Sequence, residues 1–450
     1  MTKKVLILLA LVLGVAAGAG AVWRASLPPA EWTTGSKEAL AAVLAAREAE
    51  MQLYFEEALA HYERALELDP GLVFAMLKVV QLSPPVEGRR EVIARLVEEL
   101  KSADLGDLTP RERMLVESFR ARLDHEPERA AEILDAYLRE HPDDPYAVEI
   151  RCRRYWADND MGPAEACYRR LTELDPNWVE AQNRIGYLAM ERGDFADAEE
   201  QFEIYRYLAP EEANPHDSLG ELLMLLGRYD EAEREFRAAL ATRSTFCPSW
   251  ENLVTLNLLR GDPRAAEGVV TAARQAEGCP QPNLALQRCR VAAWSAGDAG
   301  RWAEMHQAAT ECMQRTGTSE MILLALAAGL HVGASETTTA TVAELAERVG
   351  TEGHYIETGH VHLALGMRRL QEGDPPGAVE HLRAADERVP FGQGQGVTKL
   401  FGRLLLAHAL RQAGRPEEAE AVVESVRRIN LSFVRDMRLL PKDAERRPPG

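Results

Sequence analysis

Three histidines crowd one short stretch, "GHYIETGHVH", as His354, His360 and His362, and histidine is the commonest protein ligand of transition metals. Spacing argues against a metal here. His360 and His362 are two apart on a predicted helix and so point to different faces, whereas a helical ligand pair sits at i, i+4. The glycine-rich "FGQGQG" from Phe391 to Gly396 would cradle phosphate only if a strand preceded it and a helix with lysine or serine followed it. A helix precedes it, so it reads as a flexible loop between helices. No GxSxG, HExxH or P-loop occurs, and the acidic residues fall beside arginines at the i, i+4 spacing of solvated helix faces. No catalytic residue, metal ligand or cofactor is therefore assigned. The alternative from another class places an enzymatic or ligand-binding role in the irregular segment 319–398, where the histidines concentrate.

The composition points to helices. The chain has 450 residues, 46% hydrophobic and only 6% aromatic, poor in the residues that favour sheets. Lys and Arg number 52 against 71 Asp and Glu, a net charge of −19, which repels phosphate backbones; nucleic acid is not an expected partner. After "MTKK", residues Val5 to Trp23 carry no charge and would span about 28 Å as a helix. Lys3 and Lys4 before it hold the N-terminus in the cytoplasm, giving a single-pass inner-membrane anchor with an extracytoplasmic body. The competing reading is a signal peptide cleaved after Ala19 or Ala21, releasing the body to the periplasm.

From Ala39 to Asn430 amphipathic helices alternate with Gly-Asp, Gly-Arg and Asp-Pro punctuation, without period-2 alternation. Gly193, Gly227 and Gly261 recur every 34 residues, as do Pro142, Pro176 and Pro210. Alanines follow at Ala198, Ala232 and Ala266, then larger apolar residues at Phe202, Phe236 and Val270. Glycine ends one helix in the left-handed conformation, Asp194 or Asp262 caps the next, and proline stops it.

This pattern resembles the tetratricopeptide repeat family, with Trp250 and Leu253 keeping its opening pair. Legible units begin near residues 39, 111, 145, 179, 213, 247, 283, 359 and 400. The resemblance implies an all-α fold: a right-handed superhelical solenoid of antiparallel helix hairpins, here preceded by the N-terminal transmembrane helix. No hairpin buries its apolar face alone, so each must stack on the next. The expected division is membrane segment 1–24, linker 25–38, divergent hairpins 39–108, main array 109–316, divergent helical segment 317–356, C-terminal repeat pair 357–430 and tail 431–450. "QLSPPVEG" and "ASETTTAT" interrupt the pattern.

The resemblance also implies a function: a non-catalytic scaffold holding a protein or peptide partner in its concave groove, in envelope assembly, secretion or polysaccharide export. Its inner-face positions, carried over, fall on Arg153, Trp156, Asn183, Tyr187, Asp217, Glu221 and Asn252. The clamp that grips a C-terminal carboxylate in chaperone-binding members is not evident around Asp217 and Glu221. A self-assembling spacer is a further alternative. Six cysteines suit an oxidising compartment. Cys152 takes the small-residue place held by Gly186 and Gly220 in the next two units, and Cys167 lies beside Tyr168 on the partner helix. A Cys152–Cys167 bridge across one hairpin is expected, and Cys279 is expected to pair with Cys312 or Cys289.

Overall fold

The computed structural model describes residues 32–83, 87–316, 318–333 and 355–436, with residues 340, 342, 343 and 346. The apolar segment 5–23 and His354 lie outside them, so the transmembrane reading is not placed. Among the described residues no helix is long and apolar enough to cross a membrane, and no strand occurs.

The chain forms two compact units, one ending at Ala147 and the other beginning at Val148. In the first, helices α1 (Lys37–Met51), α2 (Phe55–Leu68), α3 (Val73–Leu82), α4 (Arg90–Ser102), α5 (Pro110–Leu123) and α6 (Pro127–Glu140) run in succession. The interruption at "QLSPPVEG" therefore falls between two packed helices, α3 and α4. Residues 32–36, expected as linker, are docked. Trp32 stacks on Phe74 with ring centroids 3.8 Å apart and meets Tyr146 edge-on. Thr33 donates its backbone N–H to Glu112 at 3.0 Å, and Glu112 also completes a capping box with Thr109 at the start of α5. Arg111 lies over the Trp32 ring and is ion-paired to Asp144 at 2.8 Å.

Helix α7 (Pro145–Ala157) crosses the division. The second unit continues with α8 (Met161–Leu174), α9 (Val179–Arg192), α10 (Phe195–Leu208), α11 (Asn214–Leu225), α12 (Tyr229–Thr242), α13 (Cys247–Leu259), α14 (Pro263–Gln275), α15 (Gln281–Asp298), α16 (Trp302–Thr316), α17 (Ser319–Val332), α18 (Tyr355–Gln371), α19 (Pro375–Arg388), α20 (Gly396–Gln412), α21 (Pro416–Ile429) and α22 (Leu431–Asp436). The turn chemistry is as the spacing predicts. Gly193, Gly227 and Gly261 have φ of 76°, 74° and 73°, and Asp194 and Asp262 cap α10 and α14 through the backbone N–H groups of Asp197 and Ala265. Gly186 and Gly220 exist for close approach: a Cβ there would sit 2.5 Å from the rings of Phe202 and Phe236 respectively.

Within this unit helices α11, α13, α15, α17, α18 and α20 each pack on the next, and α20 also packs on α11. The single file thus closes on itself.

All six cysteines are paired. Cys152–Cys167 is the bridge expected across the α7–α8 hairpin, with Cα atoms 5.3 Å apart. The second expectation is corrected: Cys279 bonds Cys247, and Cys289 bonds Cys312. Cys247 opens α13 and Cys279 just precedes α15, so a separation of 32 residues, close to one repeat, brings them to the same end of neighbouring hairpins. Cys289 and Cys312 instead face each other across the α15–α16 hairpin.

Candidate interaction face

One repeat in sequence is one helix spacing in space, and the inner-face side chains use it. Tyr187 on α9 donates to Glu221 on α11 across a separation of 34 residues, at 3.1 Å. Asp217 on α11 accepts from Ser249 at 2.6 Å and from Asn252 at 3.2 Å, both on α13. Glu251 on α13 accepts from Asn283 and Gln287 on α15. Thr255 accepts from Arg290, which is ion-paired in turn to Glu320 on α17. The result is a polar ladder running from α9 to α17 on side chains that are mostly buried.

Closure of the file brings Phe391–Gly396 onto the same ladder. Glu191, one turn beyond Tyr187 on α9, accepts the backbone N–H groups of Phe391 at 2.9 Å and Gly392 at 3.1 Å. Glu221 accepts from the N–H of Gly394 at 3.2 Å. The Phe391 ring meets that of Phe195 edge to face, with centroids 5.6 Å apart. Lys399 and Arg403 also stand by this ring, at 4.7 and 4.9 Å from its centroid. The loop continues into Gln395, which bonds His360 at 2.8 Å while Ser319 holds the other ring nitrogen at 3.0 Å. Asn430, at the end of α21, donates to the carbonyl of Leu225 at 3.1 Å and ties the C-terminal hairpin to α11. "FGQGQG", expected as a flexible loop, is therefore held in place.

Burial dominates the electrostatics. It pushes the Asp217 carboxyl up to about 7, with the neighbouring Glu221 charge adding to the rise. Burial also raises Glu221 and Glu191, against the N–H groups that favour their charged forms. Lys399 is lowered by burial and donates to the carbonyls of Asp386 and Val389 at 2.7 and 2.6 Å.

The other positions carried over from the family lie as follows. Arg153 is ion-paired to Glu149 and half-exposed. Trp156 is buried beneath the Arg184 guanidinium, 5.3 Å from its ring centroid. Asn183 is buried, and its side-chain oxygen has no hydrogen-bond partner among the described residues. Tyr187, Asp217, Glu221 and Asn252 are thus brought together, while Arg153 and Trp156 sit on α7, apart from that cluster. The sequence reading missed Glu191, Phe195, Phe391 and Asn430. Their only signal was the glycine run itself. His362 contacts His381 on the facing helix at 3.2 Å, and no group of three metal-ligating side chains occurs among the described residues.

Residues 151–213 and 183–249 match the family model described as tetratricopeptide repeat. No curated protein matches the chain. It is similar to a tetratricopeptide repeat protein from Parabacteroides merdae, at 12% identity over 59% of this chain and 98% of that one, with TM-score 0.39. Yeast Tom70 is similar at 11% identity, 87% and 99% coverage and TM-score 0.45. The Cut9–Hcn1 hetero-tetramer of the APC/C is similar at 14% identity, 96% and 81% coverage and TM-score 0.48. The matched repeats, the period of 34 and the glycine turns agree: residues 151–249 carry tetratricopeptide repeats.

Proposed function

We propose that this protein is a non-catalytic interaction scaffold whose second unit takes up a segment of a partner polypeptide on the inner helix face from α7 to α13. The observation that carries this reading is the polar ladder, in which carboxylate, amide and phenol groups recur at one-repeat spacing along a row of parallel helices. Carboxylate, amide and phenol groups in such a row can accept from and donate to the main chain of a bound peptide. Binding would be non-covalent. Three disulfides support an oxidising compartment, and the uncharged N-terminal segment supports a membrane tether that raises the effective concentration for envelope partners.

The test is photo-crosslinking in intact cells from position 153 on α7, with position 170 on the outer helix α8 as control, both arginines being about half-exposed. A distinct protein captured from 153 and not from 170 supports the scaffold. Capture of a second copy alone favours a self-assembling spacer.

A further inference from the structure

We propose that the Phe391–Gly396 loop is an internal stand-in for a partner, and that the face beneath it on α9, α10 and α11 takes a glycine-rich peptide turn carrying one aromatic side chain. This rests on the scaffold reading and specifies its ligand. The face reads the loop mainly through its backbone: Glu191 takes two consecutive N–H groups and Glu221 takes a third two residues on. Any chain that adopts the same glycine-rich turn offers those donors.

Side-chain selection is narrow. Phe195 receives the Phe391 ring, and Tyr187 lies so close to Gly392 that a Cβ there would stand 2.3 Å from its ring. An aromatic residue followed by glycine is what fits. Gly394 adopts φ of 73° and Gln393 φ of 58°, the latter unfavourable for a residue with a side chain. The loop is also held on carboxylates whose charged forms burial disfavours. These contacts are polar and local, so a competing chain can reproduce each one. Phe202 and Phe236, packed on Gly186 and Gly220 inside their own hairpins, cannot be exchanged in that way. An occupied site also lowers apparent affinity in proportion to the fraction of molecules in which it is open, so the loop sets a threshold for capture.

The experiment uses the full chain with its disulfides intact and a fluorescein-labelled peptide copying residues 388–397, read by anisotropy. Gly392→Leu drives the loop off Tyr187 without altering the face. Its affinity for the peptide should rise by about tenfold or more over the unmodified chain. Adding Glu191→Ala and Glu221→Ala should abolish the gain, as should leucine at the same glycine of the peptide. Should Gly392→Leu fail to fold, hydrogen exchange on the unmodified chain serves instead: excess peptide should accelerate exchange at residues 391–395.

Equal affinity of the two proteins, or no binding to a folded Gly392→Leu chain, overturns the proposal, as does unchanged exchange. A Gly392→Leu dimer that ignores the peptide also overturns it, in favour of loop exchange between copies. If cellular capture from position 153 persists while the peptide never binds, the ligand assignment fails and the scaffold stands. If capture fails as well, both fall.

Discussion

The backbone N–H of Phe391 donates to Glu191 at 2.9 Å across a sequence separation of 200 residues. Neighbour-to-neighbour packing does not require such a bond, because each hairpin contacts only the next in an open repeat array. Here it fastens the far end of the second unit onto its early helices, and it places the chain's own backbone on the face proposed for a ligand.

Glu191→Ala should destabilise the protein by about 1–3 kcal/mol, since two buried N–H groups lose their acceptor. Glu191→Gln, which keeps an oxygen there, should cost less. Urea unfolding of both variants checks the order; a cost below the error of the measurement for Glu191→Ala would show that the loop contributes nothing to closure.

Asp217 gives a pH dependence with a defined sign. Its folded pKa is raised, to about 7, so the folded state binds more protons than the unfolded one between the ordinary carboxylate range and that value. Its contribution therefore falls as pH rises through the window from about 4 to about 7, by at most about 1.4 kcal/mol per pH unit. Buried His360, whose pKa is lowered, acts in the opposite direction near its ordinary value, so the informative quantity is a difference. Relative to Asp217→Asn, the unmodified chain should gain stability between pH 7 and pH 5 in urea melts. Parallel pH profiles would contradict the assignment.

Replacing Cys247 and Cys279 together by serine should cost about 2–4 kcal/mol, since the bridge joins neighbouring hairpins and restricts the unfolded chain. Denatured, unreduced protein should show no reactive thiol, because all six cysteines are paired.

Gly220→Ala should cost about 1–3 kcal/mol through its collision with Phe236, which a Cβ would approach to 2.5 Å. Gly268→Ala is the contrasting case. It lies in the interior of α14 with nothing within 4 Å of its would-be Cβ, and should stabilise by about 0.5–1 kcal/mol. Thermal or urea unfolding of the pair separates packing from helix propensity.

How much of this was legible in the sequence follows from the range of the forces. Gly193, Asp194 and Phe202 act within one hairpin, so their spacing declared the helices, turns and packing pairs. Tyr187 with Glu221, and Asp217 with Asn252, are one period apart, and the repeat register located them on a common face. Cys247 and Cys279 were equally close in register, but they sit at helix starts rather than on the small-residue position that betrayed Cys152. Closure was out of reach: Glu191 and Phe391 belong to no shared period, and a glycine-rich run looks the same whether it is free or gripped by carboxylates. The docking of Trp32 was hidden likewise, because a short polar stretch after an apolar segment reads as linker.

The central claim is that the loop of residues 391–395 occupies the inner face in the unliganded protein. Hydrogen exchange on the unmodified chain, followed by mass spectrometry of peptides covering 388–397, tests it most directly. Slow exchange at Phe391, Gly392 and Gly394, comparable to that of the neighbouring helices α9 and α11, is the predicted result. Exchange at the rate of an unstructured chain would contradict it.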